Sequence, residues 1–315
     1  MIILGIESTA HTFGVGIVND KGKVLANSYD SYTSKDKGMI LDEVAEHHKN
    51  VAESVLKKAF EESHLDWDKI GLIAYSAGPG LDPVLWAGYH LAKKWGEENN
   101  KKLVGVNHCC AHLSIGKVFN NLQDPCYLYV SGVNTQVIVQ EGGKYRVMGE
   151  TLDIGLGNML DKFGRIIGLG FPAGPKIEEL AKKGKYIELP YTVKGMDTSF
   201  SGILTKCQQL FEKGASKEDL CFSMQETCFA MMAEVTERAM AHNDKKELLL
   251  VGGVGANKRF CEMMDIMCKE RGAKFYKVPM SLAGDQGAMI AWEGFVRKDE
   301  SGDIECNPHW RTDEV

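Results

Sequence analysis

Residues 2–18 read IILGIESTAHTFGVGIV, and their pattern decides the fold class. Residues 2–7 are a short apolar run suited to one buried strand. Residues 8–12 are a polar turn, and residues 13–18 alternate as a second strand. After a turn at 19–22, residues 23–29 supply a third strand and complete a meander. The same layout returns downstream: a strand at 126–131, a glycine-bearing turn at 132–135, a strand at 136–140, a Gly-Gly turn and a strand at 145–152.

Helices follow each meander. Leu41, Val44, Ala45, His48, Val51, Ala52, Val55, Leu56 and Ala59 recur at helical spacing across residues 40–62. A strand at 70–76, an AGPG break at 77–80, a helix near 84–95 and a strand at 103–106 come next. A further helix opens near Asn107. In the second half we expect a helix at 158–167, an irregular stretch to 205, and a strongly helical block at 218–242. A buried strand at 248–251 runs into GGVGAN (252–257) and a helix at 259–271. A short strand, a Gly-Asp-Gln-Gly turn and a helix at 288–297 close the chain. Strands joined by helices make this an α/β protein. We expect one lobe over residues 1–115, with the helix at about 288–300 packing back onto it. A second lobe covers 116–287 and carries a helical insertion at about 155–245.

The chain has 315 residues, enough for two domains that each bury a core. A net charge of −6 argues against gripping nucleic acid by bulk charge alone. The start lacks the basic and apolar regions of a secretory signal. Apolar runs are far too short for a bilayer span. Nine cysteines, with scattered spacings and no CxxC, read as reduced thiols.

Several motifs carry chemistry. Residues 107–119 read NHCCAHLSIGKVF. Asn107 is a helix N-cap candidate, and His108 and His112 are four apart, so they share one helix face. Such a pair can hold a metal ion or simply pair with carboxylates. The spacing leaves both readings open. No glutamate follows His108, so this is not the HExxH arrangement. The tips STAHT (8–12) and SGVNT (131–135) offer small hydroxyls and backbone N–H groups that can hold phosphate, or they are ordinary turns. GGVGAN is a ligand-approaching strand-to-helix turn or a plain one. Asp285 on the GDQG turn either caps the last helix or completes a metal site. Asp161 and Glu178 lie near glycine-rich turns, as ribose ligands or as solvated carboxylates. His47-His48 and the lysine pairs, among them Lys182-Lys183 and Lys245-Lys246, read as exposed faces. Lys182, Lys183 and Lys185 are weak candidates for RNA phosphate.

Taken in order, the motifs LGIEST, SAGPG, VNHCCAHLSIG, LYVSG, GETLDI, LDKFGR, ELPYTVKGMD, SFSGIL, FSMQETCFAMMAEVTERAMAH, VGGVGAN, GDQGAMIAW and WRTDEV run nearly end to end. The chain resembles the universal tRNA threonylcarbamoyladenosine-modifying transferases. It is similar to their archaeal and eukaryotic branch, the catalytic subunit of the KEOPS complex. The resemblance implies the two-lobed actin-like ATPase (ASKHA) fold. It implies transfer of threonylcarbamoyl from threonylcarbamoyl-AMP to the adenosine 3′ of the anticodon, in tRNAs reading ANN codons. It implies one divalent ion per subunit, iron or zinc, with ATP or ADP as further occupants of the cleft. By position in the motifs, His108, His112, Tyr129 and Asp285 match the metal ligands. Tyr129, Val130, Ser131, Gly132 and Val133, with Asp161, Gly174, Glu178 and Asn257, match the adenylate-binding positions.

The attacking amine must lose a proton, and Glu7 and His11 are the candidate acceptors near the first tip. The implied partners are tRNA, a protein kinase-like subunit and small dimerising subunits, with no membrane. The implied locations are the cytoplasm and the nucleus. The chain departs from the family pattern at Val133, where a second glycine is usual, at Ser8, where glycine is frequent, and at Gln286, where asparagine is usual. A metallopeptidase reading lacks the HExxH glutamate, and two further alternatives stand beside the transferase reading. One is an ATP-dependent kinase on the same fold, which leaves His108 and His112 without a task. The other is a non-catalytic subunit of the same complex.

Overall fold

A computed structural model of the chain describes residues 1–33, 40–300 and 302–315. The first meander is β1 (Ile2–Glu7), β2 (Thr12–Asn19) and β3 (Val24–Ser31), all antiparallel. It is followed by α1 (Leu41–Ser63), β4 (Ile70–Gly78), α2 (Asp82–Glu98), β5 (Leu103–Asn107) and α3 (His108–Phe119). β4 and β5 add in parallel beside β1, giving the order β3-β2-β1-β4-β5.

The second meander is β6 (Cys126–Val130), β7 (Thr135–Glu141) and β8 (Lys144–Glu150). Then come α4 (Leu156–Ile166), α5 (Gly174–Ala181), the two-residue strands β9 (Val193–Lys194) and β10 (Asp197–Thr198), α6 (Ser201–Glu212) and α7 (Lys217–His242). The chain closes through β11 (Glu247–Val251), α8 (Lys258–Glu270), β12 (Lys274–Lys277), α9 (Met280–Ala283) and α10 (Gly287–Val296). The second sheet runs β12-β11-β6-β7-β8, again a meander with two parallel strands beside its first member. The two sheets therefore share one wiring. Two units result, Met1–Phe119 with Gly284–Val315, and Asn120–Ala283.

In the first unit α1 and α2 cover one face of the sheet. Ala52, Val55 and Ala59 of α1, with Ala92 and Trp95 of α2, bury against Leu4, Ile6, Phe13, Val15 and Ile17. α10 lies against β1 and β2. Its approach is so close that only glycine fits. A Cβ on Gly5 would lie 2.2 Å from Ala291 N, one on Gly16 2.0 Å from Ala288 N, and one on Gly287 2.1 Å from Gly16 N. The C-terminal tail returns to the same sheet. Asn307 N donates to Ala77 O, and the Tyr75 hydroxyl donates to Ile304 O.

In the second unit the long helix α7 is buried through most of its length, among them Met224, Cys228, Met231, Met232 and Val235. The stretch to 205, read above as irregular, contains α5, the β9–β10 hairpin and the start of α6. The physical reason is that α6 buries only Ile203 and Cys207, a stripe too thin to show as periodicity. Its first turn is held instead by Asp153, whose carboxylate accepts from the backbone N–H groups of Phe200 and Ser201 and from both the Ser199 and Ser201 hydroxyls. These bonds outweigh the opposing effect of partial burial and hold the carboxyl well below its ordinary range. A depressed folded pKa means the stabilisation is complete above the ordinary carboxylate range and is lost as pH falls toward the folded value. Asp153→Ala is expected to raise amide exchange selectively at the start of α6, and acidification of the unsubstituted chain to do the same.

Two exposed-face readings need correction. His48 is fully buried and meets the Phe13 ring edge-on. Lys245 is buried with its ammonium on Asp124. No disulfide joins the described cysteines. No described helix is long and apolar enough to cross a membrane.

Candidate metal centre and nucleotide-binding residues

The register of β5 into α3 builds the histidine pair. Asn107 ends the strand, and its Oδ1 accepts from Cys109 N (2.9 Å) and Cys110 N (3.1 Å), which caps α3. His108 therefore opens the helix and His112 lies one turn on. Both are buried, with ring centroids 4.8 Å apart. The glycine-only contact of α10 with the sheet sets where the turn preceding α10 lies. There Asp285 Oδ1 stands 3.2 Å from His112 Nε2 and 3.5 Å from His108 Nε2. One ligand atom from each of the three residues falls within 4.8 Å of the others. Gln286, rather than Asp285, caps α10, accepting from Met289 N. That leaves the aspartate facing the imidazoles.

Behind His108 lies Glu7, with no exposure at all. Its Oε2 is 3.0 Å from His108 Nδ1, and its Oε1 accepts from Thr9 N (2.9 Å) and the Thr9 hydroxyl. The ring thus offers Nδ1 to Glu7 and Nε2 to Asp285. Glu7, named above as a proton acceptor, is packed behind the imidazole with both oxygens occupied. Such a carboxylate fixes the tautomer and orientation of a metal-binding histidine. Burial opposes protonation of His108, yet Glu7 and Asp285 lift its pKa to about 9. Burial pushes His112 down. Burial would raise Asp285, but the two imidazoles outweigh it and hold the carboxyl below its usual range. Two imidazoles between two carboxylates form a site that favours a cation, and the donor set suits a divalent first-row metal. Glu7→Gln is expected to weaken metal retention about 10- to 100-fold, measured by competition with a chelator.

His11 is exposed on the β1–β2 turn and near enough to Asp285 to interact with it electrostatically. The first tip holds no hydroxyls toward solvent. Ser8 Oγ donates to Val84 O, Thr9 bonds Glu7, and Thr12 meets Ser31. The hydroxyls of this tip are therefore engaged within the fold, and its phosphate-holding reading rests on backbone N–H groups alone. The inward turn of Ser8 has a packing cause, since a Cβ on Gly88 would come within 2.5 Å of Ser8 Cβ.

The other predicted residues lie in the second unit. Tyr129 is buried in β6, and its hydroxyl accepts from Asn134 Nδ2 at 3.4 Å. Val130 ends that strand. In the following turn Ser131 N donates to Asn134 O, and Ser131 Oγ accepts from Asn134 N. The first N–H groups of α4 are spent on this turn: Gly157 N donates to Ser131 O and Asn158 N to Gly132 O. Val133 projects from the tip, 71% exposed. Gly252, at φ +93°, passes so near that a Cβ would lie 2.3 Å from Val130 O.

A second set sits along α4, α5 and α8. Asp161 Oδ1 accepts from Ala173 N, the residue before Gly174, and Glu178 Oε1 accepts from Lys258 N. Asn257 caps α8 through Phe260 N, and its amide donates to Gln225 Oε1 at 2.6 Å. Sequence reasoning missed Gln225, which lies within the helical motif at 222–242 but was not singled out there as a site residue. It also missed Thr9 as the partner of Glu7.

A family model described as tRNA N6-adenosine threonylcarbamoyltransferase (TsaD) matches residues 23–292. A protein of that name from Thermococcus kodakarensis is 52% identical over all of this chain and 98% of its own length. One from Archaeoglobus fulgidus is 52% identical over 94% of this chain and 91% of its own. The chain belongs to the TsaD family. It also aligns, at 47% identity, with 60% of a probable bifunctional tRNA threonylcarbamoyladenosine biosynthesis protein of Methanocaldococcus jannaschii. Among solved structures, T. kodakarensis HypF gives a TM-score of 0.70 at 16% identity, over 95% of this chain and 48% of HypF. A Streptomyces griseus ROK glucokinase gives 0.51 at 12% identity, over 92% of this chain and 98% of that one. These two likenesses concern the fold alone, the actin-like ATPase (ASKHA) fold.

Proposed function

We propose that this TsaD-family chain transfers threonylcarbamoyl from threonylcarbamoyl-AMP to N6 of the adenosine 3′ of the anticodon in tRNAs reading ANN codons. The full-length match at 52% identity to a tRNA N6-adenosine threonylcarbamoyltransferase carries this reading. His108, His112 and Asp285, with Tyr129 as fourth ligand, hold one divalent ion, iron or zinc. When bound, that ion polarises the carbamoyl oxygen as a Lewis acid and orients the acyl group. The chain's own residues do the rest. Glu7 and Thr9 hold His108 in one tautomer. Residues 130–133 and the backbone N–H groups of Gly132 and Val133 take the phosphate of the adenylate. Asp161, Gly174, Glu178 and Asn257 take its nucleoside, and ATP or ADP uses the same residues.

The donor is a mixed anhydride and already activated. N6 attacks the carbamoyl carbon, the carbon–oxygen bond to AMP breaks with its electron pair on the phosphate, and the N6 proton leaves. His11, exposed and near Asp285, is the acceptor we favour. Glu7 already bonds Thr9 and His108. With a net charge of −6, phosphate contacts to tRNA come largely from partners, a kinase-like subunit and small dimerising subunits of a KEOPS-type assembly. The workplace is the cytoplasm or nucleus. The test is reconstitution with tRNA, threonylcarbamoyl-AMP and those partners, with the modified nucleoside quantified by mass spectrometry. Accumulation of product supports the reading, and absence of product overturns it.

A further inference from the structure

In the first unit the C-terminal tail and the helix that carries both histidines share one amide. Asn107 is 1% exposed and ends β5 just ahead of His108. Its Oδ1 caps α3 through Cys109 N and Cys110 N. Its Nδ2, with two hydrogens to give, donates to Trp310 O at 3.2 Å and to Arg311 O at 3.3 Å. The reverse orientation would set that nitrogen against the N–H groups of Cys109 and Cys110, so the amide has one way to sit. Next along the tail, Thr312 is buried, and its carbonyl accepts from Cys110 Sγ at 3.8 Å. Residues 310–312 thus grip the first turn of α3.

The tail reaches the same centre by a second route. Asn307 N donates to Ala77 O at 2.7 Å, and Pro308 O accepts from Gly80 N at 3.2 Å, so residues 307–308 hold the break after β4. That break rests on Thr9. Leu81 N donates to Thr9 O at 2.8 Å, and a Cβ on Gly80 would lie 3.0 Å from both Cα and Cβ of Thr9. The Thr9 hydroxyl bonds Glu7 and lies 3.3 Å from His108 Nδ1. Both routes therefore end on His108.

We propose that residues 307–312 form a strap whose closure sets the affinity of the His108–His112–Asp285 centre, with Asn107 as the positioning residue that couples the two. The inference rests on the metal-centre reading above and adds a control element about 200 residues away in sequence. The first N–H groups of a helix have no partner within it, so α3 frays at its start when Asn107 lets go. His108 then loses the fixed orientation that a metal ligand needs. The strap itself is irregular chain tied by a few hydrogen bonds, and such segments open at far lower cost than a core strand. Coupling of this kind is reciprocal: if closure favours the ion, the ion favours closure by the same factor.

The test needs neither tRNA nor partners. Amide hydrogen exchange is followed in the full chain with and without saturating Zn²⁺. The probes are Gly80 N, Asn307 N and Trp310 N, which bond Pro308 O, Ala77 O and Asn307 O. Zinc is expected to slow them about fivefold or more beyond any slowing in α1. Asn107→Asp keeps an acceptor for Cys109 N and Cys110 N but turns an oxygen toward the two tail carbonyls. It is expected to lose zinc to a chelator about tenfold more readily and to erase the zinc-dependent protection of the strap. Asn107→Ser is uncharged and still a good cap, so it carries the same expectation should the aspartate variant not fold. Zinc held by the natural chain while its strap exchanges at one rate with and without the ion overturns the inference and leaves the metal centre standing. Natural zinc retention in a folded variant at position 107 does the same. A natural chain that holds no zinc overturns the strap and the metal centre together, and the transferase reading keeps its own test in reconstitution.

Discussion

His112→Ala is expected to abolish stoichiometric metal binding and to lower transfer about a thousandfold. His112 is buried, and its Nε2 lies 3.2 Å from Asp285. Removing one of two imidazoles leaves a single histidine, Asp285 and the proposed Tyr129 phenol, a set too sparse in nitrogen to retain a divalent ion against chelators. A Lewis acid on a carbonyl oxygen supplies several kcal/mol of transition-state stabilisation, and about 1.4 kcal/mol is a factor of ten in rate. Two measurements read the outcome: metal content after dialysis against chelator, and single-turnover formation of the modified nucleoside. A melting curve separates loss of metal from loss of fold. If the substituted chain keeps its ion and its rate, His112 is a structural histidine paired to a carboxylate.

The second large effect lies away from the chemistry. Gly287→Val is expected to destabilise the first unit by about 4 kcal/mol or more, a large share of the about 5–15 kcal/mol that holds a domain together. A Cβ at this position would lie 2.1 Å from Gly16 N and 2.8 Å from Gly5 O. Both are backbone atoms in the middle of paired strands, so no side chain can swing away to make room. α10 must lift off the sheet, and Asp285, two residues upstream, is displaced from the imidazoles with it. Chemical denaturation reads the loss of stability. A variant with an unchanged midpoint would mean that α10 does not depend on this contact. Gly202, by contrast, has nothing within 4 Å of its would-be Cβ and should tolerate alanine.

Much of the architecture could be read from the chain because its strands are apolar and its turns are marked. β1 is buried at five of its six residues, and a run of that kind stands out. The repeat of the meander predicts two similar sheets, and both have the same wiring. What escaped notice lacks a local signature. α6 is pinned by Asp153 from outside the helix, and the tail at 302–315 is tied to β4 and β5 by bonds such as Asn107 Nδ2 to Trp310 O. The tail contacts span about 200 residues of sequence, and neither kind leaves any periodicity.

The site shows the same division. His108 and His112 announce themselves by i, i+4 spacing, because one helix carries both. Asp285 could be paired with them only by resemblance, since the fold rather than the sequence brings position 285 to position 112. Glu7 was visible as a charged residue ending a buried strand, but its task was not. Only the fold brings its carboxylate against His108 Nδ1, at 3.0 Å. Ser8 shows the opposite failure. A hydroxyl in a turn suggests a ligand contact, and close packing against α2 turns it inward onto Val84 O.

The most direct probe of the central claim is X-ray absorption spectroscopy on the purified chain at the edge of its bound metal. The account predicts one ion per chain whose first coordination shell contains two imidazole nitrogens and carboxylate oxygen, with one nitrogen lost in His108→Ala. An ion ligated by sulfur, or a spectrum that His108→Ala leaves unchanged, would contradict it.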